Sequence, residues 1–405
     1  MEFSCGKSAL QGVVKNLLSI VNPKDTRPEL HSLKLVAEPG DDGEPGTLVV
    51  RATNYAQDVR ARVTAEVTTP GVAVVGAKVF SDALQSMSSE KVRFAAEGEN
   101  QLRLRGTTED FNLFTINPEV YPNEPELGKA TLLVGVGELN SGFFRANIAS
   151  SQDTEKRPTL ASVRVMLEKD GLGLYATDSY RLTYQHLPAK LSNNFGDMLG
   201  TEFMLPRKSC EDLRKWLTSP KENVFLSLTM LEKEVAAGQK ESTPVKAAFW
   251  DEHMCFFSNL VEGKYPKVED HANATISRDH KVIWTVGKEK LLEVLRRAGV
   301  IDHLGVITFK ADTITMAAKS KTVGEMEEAL PAGDNYVYDK ETLGESCAIG
   351  INIGFLADGL DVVPGDSLKL CILEPLKPIL ILGGTTDAKK PGQNPYYILM
   401  PVRLP

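Results

Sequence analysis

Leu172-Gly173-Leu174-Tyr175-Ala176-Thr177-Asp178 is the stretch on which the fold turns, because it already occurs once earlier in the chain. Leu48-Val49-Val50-Arg51-Ala52-Thr53-Asn54 has the same shape, an alternating strand that closes on Ala-Thr and then Asn or Asp. Thr313-Ile314-Thr315-Met316-Ala317-Ala318-Lys319 is a weaker third copy. The flanks repeat as well. Asp25-Thr26-Arg27-Pro28-Glu29-Leu30 precedes the strand-like Leu33 to Val36, and Asp153-Thr154 with Arg157-Pro158-Thr159-Leu160 precedes Val163 to Leu167. Two units end alike, in Val120-Tyr121-Pro122 and in Gly263-Lys264-Tyr265-Pro266. Several matches in one order at domain spacing point to a threefold duplication.

Between these landmarks most of the chain reads as short alternating strands, such as Gln101–Arg105, Phe225–Leu228, Val306–Phe309 and Leu368–Ile372. Six segments have helical spacing instead. In the first, Leu10, Val14, Leu17, Leu18 and Val21 share a face opposite Lys7, Gln11 and Lys15. The others are Lys78–Met87, Glu138–Ala149, Lys208–Leu217, Lys288–Ala298 and Ile353–Leu360, and Pro206 suits a first helical turn. The turn-rich stretches Asn123–Gly128 and His271–Thr275 then mark junctions between three domains, 1–127, 128–277 and 278–405. The expected class is α+β: three tandem domains of antiparallel sheet, each with two helices.

Composition bounds the function. With 42% apolar and 25% charged residues the 405-residue chain has the make-up of a globular protein of several domains. No apolar run is long enough for a membrane span, and the start Met1-Glu2-Phe3-Ser4 is a poor secretion signal, so a cytoplasmic location is expected. Cys5, Cys210, Cys255, Cys347 and Cys371 are scattered and read as free thiols rather than a disulfide framework or zinc site. The six histidines make no close ligand spacing, and Gly383-Gly384-Thr385-Thr386 lacks the lysine of a phosphate loop. No nucleophile, base or metal constellation is legible, so neither enzyme activity, cofactor nor metal is expected.

The net charge of −8 hides an uneven distribution. Lys7, Lys15, Lys24 and Arg27 lie in or just after the first helical segment; Arg207, Lys208, Arg214 and Lys215 fall on the fourth; Lys288, Lys290, Arg296 and Arg297 fall on the fifth. These stretches are net positive in an acidic chain. They are either ordinary solvated helix faces or, if they converge, a basic channel for phosphates contacted without sequence readout.

Four stretches carry a family resemblance. Ala176-Thr177-Asp178-Ser179-Tyr180-Arg181-Leu182 is similar to the signature A-T-D-G-H-R-L, and Tyr397-Ile398-Leu399-Met400-Pro401-Val402-Arg403-Leu404 to the ending Y-V-x-M-P-M/V-R-L. Leu205-Pro206-Arg207-Lys208 resembles the opening of the second helix of a middle domain, and Arg157-Pro158-Thr159-Leu160 an R-P-x-L element. Taken in their order along the chain they resemble the bacterial DNA sliding clamp family, the beta subunit of DNA polymerase III. The resemblance implies a clamp fold and a ring made by a head-to-tail homodimer. Such a ring encircles double-stranded DNA and serves as a non-catalytic processivity factor. It also implies partners that dock through short linear motifs: the replicative polymerase, the clamp loader and repair proteins. A divergent phage- or plasmid-type accessory clamp with altered partners is the alternative.

Carried onto this sequence, the family's peptide pocket comprises Leu160, Thr177, Ser179, Tyr180, Arg181, Leu182, Pro266, Ile398, Leu399, Met400, Pro401, Val402, Arg403 and Leu404. The residues by themselves also allow a plain edge strand with Arg403 in a structural ion pair. DNA-facing candidates are Lys7, Lys15, Lys24, Arg27, Arg207, Lys208, Arg214, Lys215, Arg296 and Arg297. The ring seam is expected at Phe111 and Leu113 against Val300 and Ile301, with Glu325, Glu327 and Glu328 on the acidic side and Lys78 opposite. Three departures bear on the pocket and one on the seam: Ser179-Tyr180 for the usual Gly-His, Tyr265-Pro266-Lys267-Val268 for F-P-D-Y, a terminal Pro405, and Thr107-Thr108-Glu109-Asp110 where basic residues usually precede the seam strand.

Overall fold

The computed structural model describes residues 1–41, 44–98, 100–191, 198–219, 222–236, 239–333, 335–389 and 391–403. Among them are eight α-helices: α1 Lys7–Leu17, α2 Ala77–Ser86, α3 Val136–Ile148, α4 Arg207–Arg214, α5 Val268–Ile276, α6 Lys288–Ile301, α7 Lys340–Leu343 and α8 Ile353–Val362. Six of these are the segments with helical spacing in the sequence. Each of the six follows a short strand without an intervening residue: Glu2–Gly6, Gly71–Gly76, Leu132–Gly135, Glu202–Pro206, Val282–Gly287 and Cys347–Asn352.

The repetition reaches individual atoms. A helix leaves its first N–H groups without intrahelical partners. In five of the six, the first residue's N–H donates to a carbonyl that directly precedes another strand: Lys7 to Glu90 (2.7 Å), Val136 to Glu222, Arg207 to Ala161, Lys288 to Asp366 and Ile353 to His303 (2.9 Å each). The backbone of one fold element thus caps the next. This explains why α1 and α6 start without a capping side chain.

The chain condenses into two compact units, Met1–Gly137 with Ala189–Asp197 and Lys208–Leu260, and Glu138–Pro188 with Met198–Arg207 and Val261–Pro405. They cut across the expected central domain. In the first unit eight antiparallel strands pair in a closed circuit: Glu2–Gly6, Gln57–Thr69, Gly46–Thr53, Ser32–Glu38, Gly71–Gly76, Asp110–Ile116, Gln101–Arg105, Lys91–Glu97, and back to Glu2–Gly6. Inside the circuit Phe3 stacks on Phe94 at 4.6 Å between ring centroids, with Phe80 of α2 at 6.0 Å from Phe94. Leu10, Val14 and Leu17 turn the apolar face of α1 inward, as the spacing predicts. Met254–Asn259 then pairs with Gln57–Ala61 and carries Gln239–Trp250 and Asn223–Ala236 beside it.

In the second unit one antiparallel sheet runs through Glu202–Pro206, Ser162–Glu168, Gly171–Thr177, Arg181–Leu191, Tyr396–Leu399, Ile379–Gly383, Ser367–Ile372 and Val282–Gly287. A second sheet holds Gly324–Pro331, Thr313–Ser320, Leu304–Phe309 and Cys347–Asn352 in that order. Helix α6 buries Leu291, Val294, Leu295 and Ala298, and α8 buries Ile353, Leu356 and Leu360. Four thiols are buried and Cys255 is half-buried, and none of the five is joined in a disulfide.

Two features differ from the sequence expectation. Helices α5 and α7 are additional to two per domain. His271–Thr275, read as a turn-rich junction, lies inside α5 because Val268, Ala272 and Ile276 recur at helical spacing and pack into an apolar cluster with Tyr265, Leu380 and Ile398. The polar residues between them had masked that period.

Candidate functional site

A tight turn organises the site, and the structure repeats it. Thr177 Oγ1 donates to the Arg181 carbonyl (2.6 Å) and accepts from Ser179 N–H (3.1 Å), while Asp178 Oδ1 accepts from the N–H groups of Tyr180 (2.9 Å) and Arg181 (3.1 Å). In the first unit Thr53 Oγ1 donates to the Gln57 carbonyl (2.9 Å), and Asn54 Oδ1 accepts from Ala56 (3.1 Å) and Gln57 (2.7 Å). The two positive-φ non-glycine residues among those described are the central residues of these turns, Tyr55 at 66° and Ser179 at 82°. A left-handed conformation costs an L-residue about 1–2 kcal/mol, so serine stands where glycine is the relaxed choice.

The turn delivers Arg181 into a nearly buried position. Its Nε donates to Asp178 (2.8 Å), its Nη1 pairs with Asp358 of α8, and the guanidinium lies 4.2 Å from the centroid of the Phe355 ring. Two carboxylates thus neutralise it. Met400 N–H donates to the Tyr180 carbonyl (2.8 Å), continuing the pairing of Arg181–Tyr184 with Tyr396–Leu399. The Tyr265 hydroxyl accepts from Thr177 N–H at 2.9 Å, and burial pushes its pKa upward, so it stays neutral. Tyrosine at this position therefore ties α5's approach to the turn.

Beside the turn is a cavity of about 480 Å³. Leu160, Thr177, Ser179, Arg181, Leu182, Pro266, Ile398 and Met400 line it, eight of the expected pocket residues. The volume and mostly apolar wall suit a few side chains of a ligand, with polar groups to orient it. Other expected members lie elsewhere. Tyr180 is exposed with its ring 6.3 Å from Phe355, Leu399 is fully buried, and Val402 and Arg403 line a smaller recess with Ala348, Gly350 and Leu376. Arg403 is exposed and Pro401 half-buried; Leu404 and Pro405 lie outside the described residues. The alternating pleat explains this: Ile398 and Met400 point one way and Leu399 the other.

The sequence reading missed His271, Ala274 and Thr275 of α5, Arg278 and His280 after it, and Leu373, Lys377 and Pro378, which complete the wall. Misreading α5 as a linker hid the first group. Burial lowers the pKa of His280, so its imidazole is neutral at pH 7.

The expected DNA-facing residues divide. Lys15, Lys24, Arg296 and Arg297 are exposed, as is Arg27, which pairs with Asp25 at 2.9 Å. Lys208 and Lys215 flank the fully buried carboxylate of Asp212 at 2.6 and 2.8 Å. In the same unit Asn16 of α1 donates to the carbonyl of Lys215, the residue after α4, at 3.1 Å, which ties α1 to the end of α4. Arg214 is half-buried. Lys7 donates to the Met87 carbonyl, and Arg207 holds the carbonyls of Asn147 (3.0 Å) and Ser150 (2.9 Å) at the end of α3. Arg207 thus serves the fold directly.

At the expected seam Leu113 is buried in its own unit, Phe111 is half-buried, and Phe114, which the sequence reading passed over, is 82% exposed. Val300 is 76% exposed and Ile301 half-buried. The expected seam charges are mostly matched internally: Lys78 to Asp82 (2.7 Å), Glu325 to Lys319 (2.8 Å) and Glu328 to Arg297 (2.7 Å), while Glu327 is exposed. Asp110 is likewise held by Arg103, which keeps its carboxyl at about 2. One further grouping was invisible in sequence spacing: His186 lies 3.0 Å from Glu168 and 3.8 Å from Asp170, which accepts from Gln393.

Three consecutive segments match the DNA polymerase III beta subunit: its N-terminal domain over residues 1–125, its central domain over 138–267 and its C-terminal domain over 274–401. The beta sliding clamp of Bacillus subtilis is 24% identical over 94% of this chain and 95% of that protein. That of Synechocystis is 24% identical over the full length of both. Among solved structures, the DNA polymerase sliding clamp of Bacillus subtilis superposes with a TM-score of 0.83 at 21% identity, covering 100% of this chain and 99% of that one. The Pseudomonas aeruginosa sliding clamp bound to griselimycin does so with a TM-score of 0.83 at 21% identity and full coverage of both.

Proposed function

The chain belongs to the DNA polymerase III beta subunit family, and on that footing we propose that it is a DNA sliding clamp that tethers a replicative polymerase to its template. The observation that carries this reading is the run of three family domains, in order, from residue 1 to residue 401. The domains on this reading are 1–127, 128–277 and 278–405. The protein acts as a processivity factor on DNA in the cytoplasm, with no catalytic step of its own. Two copies close head to tail around duplex DNA. Lys15, Lys24, Arg296 and Arg297, with Lys208 and Lys215, supply phosphate attraction without base readout.

Sheet edges support the closure. From Asp110 to Phe114 the strand pairs with one neighbour, Gln101–Arg105, and Gly324–Pro331 pairs with one, Thr313–Ser320, among the described residues. Exposed edges invite pairing, and a twofold ring of one interface type satisfies both. Because the nearby charges are largely matched within each chain, apolar contact from Phe111, Phe114, Val300 and Ile301 holds the seam. The cavity beside the Thr177–Arg181 turn takes short linear segments of the polymerase, the clamp loader and repair proteins.

The ring is tested by light scattering at micromolar concentration. The native chain is expected at twice its 44.3 kDa mass. Phe114→Asp, which buries a charge at the seam, is expected to run as a folded monomer with unchanged circular dichroism. A native chain that remains monomeric, or a variant that stays dimeric, would contradict this seam.

A further inference from the structure

We infer that Glu168, Asp170 and His186 hold a divalent transition-metal ion of the zinc or manganese kind at the Glu168–Gly171 turn of the second unit. The inference stands apart from the reading of DNA and peptide binding. Glu168 ends the strand Ser162–Glu168, Asp170 lies in the turn, and His186 sits in the strand Arg181–Leu191. Gly173 pairs with His186, and its missing side chain leaves room for the Glu168 carboxylate, whose Oε1 would lie 2.2 Å from a Cβ there. One ligand atom from each of the three residues lies within 4.8 Å of the other two. Ligands on a tetrahedral zinc ion stand about 3.3 Å apart, so the set has to close by roughly an ångström. Asp170, 59% exposed in the turn, supplies that movement.

The His186 side chain is 7% exposed, and its two nitrogens have unequal partners. Nδ1 lies 3.0 Å from Glu168 Oε2; a carboxylate only accepts, so the neutral ring carries its proton there. Glu168 keeps Oε1, over Gly173, for the ion. Nε2 presents a lone pair, makes no hydrogen bond among the described residues, and lies 3.8 Å from Asp170 Oδ1. Two acceptors across that gap repel unless a cation lies between them. No lysine or arginine forms an ion pair with Glu168 or Asp170 among the described residues. Other carboxylates around this sheet are matched: Glu202 and Glu269 by Arg164, and Asp178 by Arg181. Gln393 donates to Asp170 Oδ2 at 2.8 Å, which leaves Oδ1 for the ion and orients it, as outer hydrogen bonds do for metal ligands. One imidazole with two carboxylates suits zinc or manganese rather than magnesium or calcium, and water completes the shell.

The bound ion ties the turn to the Arg181–Leu191 strand and to the segment that carries Gln393. The test titrates zinc chloride, and separately manganese chloride, into the tag-free full-length chain by calorimetry at about pH 7.5, where an ordinary histidine is neutral. A single ion per chain is expected to bind with micromolar affinity. Asp170→Asn and His186→Gln are each expected to weaken binding by at least about tenfold, as loss of a ligand does. His303→Gln, which removes an exposed histidine beside Asp302, is expected to leave the affinity unchanged. Asp170 is exposed, so its variant keeps the fold and decides the matter even if His186→Gln does not fold. Absence of a micromolar site for either ion in the native chain, or equal affinity in the Asp170→Asn variant, would overturn the inference. So would a loss in His303→Gln as large as in Asp170→Asn.

Discussion

Asp58→Ala is expected to destabilise the first unit by about 3–5 kcal/mol, the cost typical of leaving a buried charge without its partner. Arg51 is 1% exposed in the Gly46–Thr53 strand, and its Nη2 and Nε approach the Asp58 carboxylate at 2.6 and 2.9 Å. The same guanidinium donates to the carbonyls of Pro122 (2.6 Å) and Asn123 (2.8 Å) and lies 5.2 Å from the Tyr121 ring centroid. Arginine does not shed its proton in a protein, so the charge has no way to neutralise itself. Removing Asp58 also loosens the grip on Pro122 and Asn123, just before the N-terminal family match ends at residue 125. Urea unfolding monitored within this unit is expected to shift to a clearly lower midpoint. An Arg51→Met/Asp58→Leu pair should lose less, since no buried charge is then stranded. A shift of under about 1 kcal/mol in the single variant would mean water reaches Arg51.

Met400→Ala is expected to weaken peptide binding by roughly ten- to thirtyfold, as truncation of a central apolar contact does. Met400 is 41% exposed, lines the cavity and is fixed by its N–H bond to the Tyr180 carbonyl, which alanine keeps. The fold is therefore expected to survive. Ile398 is a poorer probe, because it is 5% exposed and belongs to the cluster under the cavity. Anisotropy titration of a labelled short peptide with leucine and phenylalanine anchors reads the effect, and an unchanged affinity would place the peptide elsewhere.

The sequence exposed the architecture because duplication writes the same local physics several times. The Thr53–Gln57 and Thr177–Arg181 turns share their hydrogen bonds, and the amphipathic periods of α1, α2 and α6 each follow a strand. Motif matching likewise placed eight residues on the cavity wall. What stayed hidden depended on packing across distance. Helix α5 was disguised by polar residues between Val268, Ala272 and Ile276, and with it went His271, Ala274 and Thr275. Leu399 is core because the pleat turns it inward, which no motif states. Charge counts could not reveal that Lys208 and Lys215 share the buried Asp212, or that Arg297, expected on DNA, pairs with Glu328, expected at the seam. Phe114 was passed over because the motif names Phe111 and Leu113, whereas strand alternation turns Phe114 out to solvent.

The central claim is that this chain holds DNA by enclosure rather than by grip. It is tested by loading the protein on a nicked circular duplex with a bacterial clamp loader, passing the complex through a sizing column, and repeating this after one restriction cut. Enclosure predicts a complex that survives on the circle, even in salt high enough to screen phosphate contacts, and slides off the linear duplex. Equal retention on the two forms, or equal loss from both, would contradict it.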